Sequence, residues 1–260
     1  IRVYNRIDLA YNGQHKNMNY LYDVLDKYSA NGMVCMVEVH DKTGSYFTET
    51  STPSLQDLVK FYTDLARRYG GNPYIWFNVM NEPGGNTAVD PQWKLTHETV
   101  IQAIRNAGAN NIIVCDGNSW AADTGTSLPG ENVKDSDSAV LTYGQELTSK
   151  YANIAFGVHM YAAWNVDQSK FIDYITRVQN KGLALIIGEY GIWVQGEDYF
   201  AASVKNAIQV GNTKGLGRII WAWYGGDRND LTTGPIKGGG WEVDRTDGSR
   251  PANLTWMGSK

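Results

Sequence analysis

Short β-branched apolar runs alternate with longer amphipathic stretches. The runs start about every 30–40 residues, and their C-terminal ends carry polar and aromatic side chains. These three features predict an α/β fold, a (β/α)8 TIM barrel whose first βα unit is absent from the chain. The strand-like runs are 1–5, 33–40, 74–81, 111–116, 154–161, 183–189 and 217–223. Most are apolar without clean alternation, as strands covered on both faces should be. Helical patterns fall at 17–31, 54–69, 91–107, 167–181 and 197–211. Asn31-Gly32 closes the first, Pro53-Ser54 opens the second, and 106–108 closes the third. Seven strands are visible rather than eight, and residue 1 opens directly on a strand, so a preceding βα unit of roughly 30–50 residues is expected to be missing. An open doubly wound sheet of seven strands is the alternative. No repeat, low-complexity tract or linker divides the chain, and a single domain over 1–260 is expected. A polar loop at 124–137 precedes the fifth strand, and a Gly-rich stretch at 222–248 is expected to form a long loop over the barrel mouth.

Composition narrows the function. The formal net charge of −4 leaves no basic surplus to neutralise phosphates, so no nucleic-acid partner is expected. No run of 18 apolar residues would cross a bilayer, so no membrane partner is expected either. Nine Trp and sixteen Tyr are present, many in Gly- and Asn-rich stretches rather than apolar runs. Some of these rings fill the core. Flat rings in loops suit the C–H faces of sugars, and a neutral polyol fits this chain better than a charged ligand. Cys35 and Cys115 fall in strands two apart, roughly 9–10 Å by ladder spacing, which is too far for a disulfide. Two free, buried thiols are expected.

In a barrel of this kind the chemistry sits at the C-terminal ends of the strands. Arg2 lies within the first, His40-Asp41 ends the second and Asn81-Glu82 the third. Asp116 closes the fourth with Trp120 just beyond, His159 and Tyr161 end the fifth, Glu189 ends the sixth, and Trp221 and Trp223 end the seventh. Glu82 and Glu189 each follow an apolar strand and precede a turn, where a carboxylate is costly unless it is hydrogen-bonded or paired. A helix cap or a structural ion pair would explain either one alone. Two such residues three βα units apart, among other polar strand ends, point to a pair facing across a cleft. Such a pair is what glycoside hydrolysis requires. His40 and His159 lie in no H-x-H or HExxH arrangement, so hydrogen bonding is expected of them rather than metal ligation. His15 and His97 read as surface residues.

Asn81-Glu82-Pro83 after a strand, Gly188-Glu189-Tyr190-Gly191 and His159-Met160-Tyr161, with Arg2, His40 and Trp221 in order, together resemble glycoside hydrolase family 5. Within that family the stretch Glu38-Val-His-Asp-Lys-Thr-Gly44, the stretch Asp116-Gly-Asn-Ser-Trp120 and the Trp221-Ala-Trp223 pair are similar to bacterial endo-β-1,4-mannanases. Pro83-Gly84-Gly85-Asn86 departs from them, since an aromatic often follows the glutamate there. The resemblance implies a secreted retaining enzyme with Glu82 as general acid/base and Glu189 as nucleophile. Arg2 and Tyr161 would donate to the nucleophile, and an ionised neighbour would favour a proton on the acid. Asn81 would meet the sugar 2-hydroxyl. His40 and His159 would line the cleft, and Trp221 would floor the reacting subsite. Trp120, Trp164, Trp193 and Trp223 would be platforms in neighbouring subsites. No metal or other cofactor is expected. The expected partner is a β-mannan or related β-glycan, attacked by a monomer. An endo-β-1,4-glucanase, a non-catalytic sugar-binding barrel and a metal-dependent hydrolase remain as alternatives.

Overall fold

The structure is a computed structural model. It describes residues 1–13, 17–87, 89–126, 128, 132–192, 200–222, 231 and 254. Six strands form one parallel sheet in strictly sequential order: β1 (Arg2–Asn5), β2 (Cys35–Val39), β3 (Ile75–Asn78), β4 (Ile113–Asp116), β5 (Ile154–Met160) and β6 (Leu185–Tyr190). A doubly wound sheet reverses its strand order at a switch point. This order never reverses, which is the order of a barrel wall. The predicted seventh strand forms an isolated parallel bridge, Ile187 to Arg218, beside β6. Three backbone hydrogen bonds hold it there: Ile187 N–H to Gly217 O, Ile219 N–H to Ile187 O and Trp221 N–H to Tyr190 O.

Among the described residues seven α-helices accompany the strands: α1 (Ile7–Asn12), α2 (Met18–Ala30), α3 (Leu55–Tyr69), α4 (Pro91–Asn106), α5 (Ala139–Lys150), α6 (Gln168–Asn180) and α7 (Ala201–Lys214). Their starts follow local chemistry. Ser54 and Asp57 form a reciprocal capping box on α3, and Asp90 caps α4 with Pro91 in its first turn. Sequence patterning did not reveal α1 or α5. The second has Gly144 at its centre, which weakens a helical pattern. The structure explains that glycine: a Cβ there would lie 2.5 Å from Leu183 Cδ1, so α5 packs closely on the segment leading into β6.

The barrel interior is layered with the two-residue period of a strand. Its lower layer is apolar, with Met36, Val114 and Ala155 buried together and Trp76, Ile186 and Ile219 packed on them. Two residues further along, the side chains turn polar: Glu38, Asn78 and Asp116, all buried. Gly157 leaves the space Asp116 needs, since a Cβ there would sit 2.5 Å from Asp116 Oδ1. Above this layer come His40 and His159. The β5–β6 ladder shifts register after Val158, pairing Val158 with Ile187 but His159 with Glu189. The extra residue, Gly188, is a bulge that sets Glu189 beside His159 at the rim.

Candidate functional site

Arg2, from the start of β1, and side chains at the C-terminal ends of β3, β4, β5 and β6 converge on one network. Arg2 donates from Nη1 to Glu189 Oε1, and from Nη2 to Asn81 Oδ1 at 2.7 Å and Asp116 Oδ2 at 3.2 Å. Burial works against the guanidinium charge. Glu189, Glu38, Asp116 and Glu82 outweigh it and hold Arg2 above the usual arginine range. The Tyr161 hydroxyl donates to Glu189 Oε2 at 3.1 Å. Burial, together with Glu189 and Glu82, pushes that phenol well above its ordinary value, so it remains a neutral donor. Both oxygens of Glu189 are thus hydrogen-bonded. Burial raises the Glu189 carboxyl, and His159 and Arg2 oppose that rise.

His159 joins the two glutamates. Its Nδ1 lies 2.9 Å from Glu82 Oε1 and 3.5 Å from Glu189 Oε2, and its Nε2 lies 3.2 Å from Asp116 Oδ2. Burial alone would lower this imidazole, but Glu189 and Asp116 raise it to about 10, leaving it cationic at neutral pH. Asp116 stays far below the usual carboxylate range despite burial, because His159, Arg2 and Asn78 favour its charge.

Glu82 and Glu189 face each other. One oxygen from each, with a ring nitrogen of His159, lie within 4.8 Å of one another. These are atoms of the kind that ligate metal ions, and here they hydrogen-bond one another through His159. The Glu82 side chain is 16% exposed and that of Glu189 7%, so Glu82 has the better access to the cleft. Glu82 adopts φ +47°, which side chains with a Cβ rarely do. The turn is pinned by Gly44 N–H to Glu82 O at 2.8 Å and by Gly84 N–H to Ser45 O at 2.8 Å.

Asn81 donates from Nδ2 to Thr43 Oγ1 at 3.0 Å, which leaves its Oδ1 toward Arg2. His40 stands between Tyr4, 4.6 Å away by ring centroids, and Trp221, stacked at 6.2 Å. Trp120 is 38% exposed. It sits in a run of three left-handed residues, Ser119, Trp120 and Ala121. Its N–H reaches Gly84 O at 3.1 Å, and its indole covers Gly44 so closely that a Cβ there would meet the ring at 2.2 Å. Backbone strain of this kind persists only where the surroundings over-determine it. Here the support is Asp123, buried beneath the turn. Its Oδ1 accepts from the N–H groups of Asn118, Ala139 and Val140, and its Oδ2 accepts from Ser138 and from Tyr174 at 2.7 Å.

Burial raises the Asp123 carboxyl to about 6 against those five donors. Because this exceeds the unfolded value, the group's contribution to stability is full below about pH 4 and is lost as pH rises through about 6. The Tm difference between wild type and Asp123→Asn should therefore shrink from about pH 4 to about pH 7; a widening gap in calorimetry would contradict this.

Several sequence-based expectations need correction. Trp164 is a core residue, not a platform: it is buried against Phe171 and Tyr174, with its indole N–H on Ala122 O. His97 is not at the surface. It lies on the buried face of α4, stacked on Trp93 at 4.2 Å, and burial lowers it to about 4. Cys35 and Cys115 are free and buried, as expected. Trp223, Trp193 and His15 lie outside the described residues. The buried partners Glu38, Asn78, Asp116 and Thr43 were given no role from sequence. Their signal was the two-residue rhythm Met36, Glu38, His40 and Val114, Asp116, which carries polarity down into the barrel.

Known proteins resemble this chain in sequence and fold. The beta-mannanase/endoglucanase A of Caldicellulosiruptor saccharolyticus is 29% identical over 192 residues, 73% of this chain and 13% of that protein. The mannan endo-1,4-beta-mannosidase of Cellvibrio japonicus is 26% identical over 207 residues, 79% of this chain and 44% of that protein. The chain thus spans less than half the length of either relative. The solved catalytic domain of a mannanase from Streptomyces sp. SirexAA-E superposes with a TM-score of 0.70 at 25% identity, covering 89% of this chain and 69% of that one. The family model described as cellulase (glycosyl hydrolase family 5) matches residues 2–227, nearly the whole described barrel wall, and on that match the chain belongs to glycosyl hydrolase family 5.

Proposed function

We propose that the protein is a retaining endo-β-1,4-mannanase in which Glu82 and Glu189 act on the same glycosidic bond. The observation that carries this reading is the approach of the two carboxyls to within 4.8 Å with separate hydrogen-bond partners. Retaining enzymes hold their carboxyls about 5–5.5 Å apart, whereas inverting enzymes leave room for a water between them. Glu189, held by Arg2 and Tyr161, attacks the anomeric carbon as the bond to the leaving oxygen breaks. Glu82 delivers its proton to that oxygen. A covalent glycosyl ester on Glu189 results. Esterification removes the Glu189 charge, so Glu82 then takes a proton from water as the water displaces the ester. His159, kept cationic between Asp116 and the two glutamates, steadies the charge that moves between them.

Asn81 is the candidate for the sugar 2-hydroxyl. Trp221 and His40 would line the subsite of the reacting sugar, and exposed Trp120, joined to the Glu82 turn, the leaving-group side. The mannan reading draws on the names of the relatives, and the endoglucanase reading on the double name of one of them. A polymeric substrate does not cross a bilayer, which favours secretion. Among the described residues no helix is long and apolar enough to span a membrane.

Reducing-sugar release should be at least about tenfold faster on galactomannan than on carboxymethylcellulose, a gap of the size one well-placed hydroxyl contact supplies. The reverse order would give the glucanase reading. No release from either would leave a sugar-binding barrel, and loss of activity to a chelator would favour a metal hydrolase.

A further inference from the structure

One buried carboxyl has no part in the chemistry above. Glu38 stands in the polar middle layer of the barrel, with Met36 below it and His40 above it along β2. Its Oε1 lies 3.0 Å from His40 Nδ1, and its Oε2 has no hydrogen-bond partner among the described residues. A buried carboxylate oxygen without a donor is costly, and an apolar side chain of the same size would fill this space without that cost. What Glu38 does must therefore lie in what it faces.

It faces His40. Tyr4 and Trp221 hold the plane of that imidazole, but neither ring distinguishes Nδ1 from Cδ2. The charged and titratable groups around His40 are Glu38 on its own strand, Arg2 and Tyr4 from β1, and Glu189 from β6. Burial lowers His40. The hydrogen bond and charge of Glu38, with Glu189 beyond, raise it above the ordinary histidine value, against Arg2.

We propose that Glu38 is a positioning residue for glycoside cleavage, fixing His40 with Nδ1–H on Glu38 and Nε2 toward Asn81 and the sugar beside Glu189. His40 Nε2 is 3.5 Å from Asn81 Nδ2, so the same lock aligns the amide assigned to the 2-hydroxyl. The inference rests on the two-glutamate reading for its kinetic consequence, though not for the state of His40 itself.

The test uses Glu38→Gln, which keeps volume and an acceptor but loses charge, and Glu38→Leu, which keeps only volume. Three quantities are read: the NMR titration of His40, kcat and KM on a mannan oligosaccharide, and Tm. In Glu38→Gln the His40 midpoint should fall by about one pH unit. In Glu38→Leu it should fall further, and the ring nitrogens should report a mixture of tautomers. KM should rise about fivefold to tenfold in Glu38→Leu and less in Glu38→Gln, with kcat changed less than KM. Folded variants with an unchanged His40 titration and unchanged KM would overturn the proposal. So would activity losses that merely follow Tm. If Glu38→Leu does not fold, Glu38→Gln decides alone. A wild-type protein inactive on every β-glycan would sink the hydrolase reading, while the His40 titration would still decide whether Glu38 sets that ring.

Discussion

Glu189→Ala should lower turnover by roughly 10⁴-fold or more while the barrel stays folded, because no other side chain among the described residues is held by Arg2 and Tyr161 to form the glycosyl ester. The fold should survive because Arg2 keeps two further acceptors, Asn81 and Asp116, after the carboxylate is removed. The cavity left beside Arg2 and Tyr161 would suit a small anion. Added azide should therefore restore turnover of an activated aryl mannoside, attacking from the face Glu189 used and giving a glycosyl azide of inverted configuration. Kinetics with and without azide, alongside circular dichroism, check this outcome. Near-normal activity in a folded variant would remove Glu189 from the mechanism.

Glu82→Ala should behave differently, and the difference separates the two roles. On mannan, whose leaving group needs a proton, the rate should fall by about 10²–10⁴-fold, the range general acid catalysis contributes. On a dinitrophenyl glycoside the first step needs no such help. The glycosyl ester should then accumulate because no base activates water, and a burst of dinitrophenol should precede slow turnover. Azide should rescue this variant to a product of retained configuration. A loss equal for good and poor leaving groups would contradict the acid/base role of Glu82.

Much of this architecture could be read from the order of residues. The two-faced burial of β2, β4 and β5 followed from mainly apolar runs without clean alternation, and the polar positions Asn81-Glu82, His159 and Glu189 marked the rim. The donors to Glu189 were named with the family resemblance, and the structure places both on it: Arg2 from the start of β1 and Tyr161 just past β5, the neighbour of β6.

What stayed hidden has a common cause: close packing in three dimensions that no short window of sequence carries. Gly144 disguised α5 although it marks a tight contact. His97 and Trp164 carry polar groups that suggest an exposed place, yet in each a ring nitrogen meets a backbone carbonyl inside the core. The left-handed turns at Glu82 and Trp120 are tied to segments distant in the chain, Glu82 O to Gly44 N–H and Trp120 N–H to Gly84 O. Asp116 was visible as a strand end, but its position between Arg2 and His159 depends on Gly157 and on the neighbouring ladder.

The most direct test of the paired-glutamate account is the anomeric configuration of the sugar first released, followed by proton NMR before mutarotation scrambles it. Attack by Glu189 and then by water inverts that carbon twice, so hydrolysis of a β-1,4-mannan oligosaccharide should release the β-anomer first. First release of the α-anomer would mean a single displacement by water, and the ester on Glu189 would have no place in the reaction.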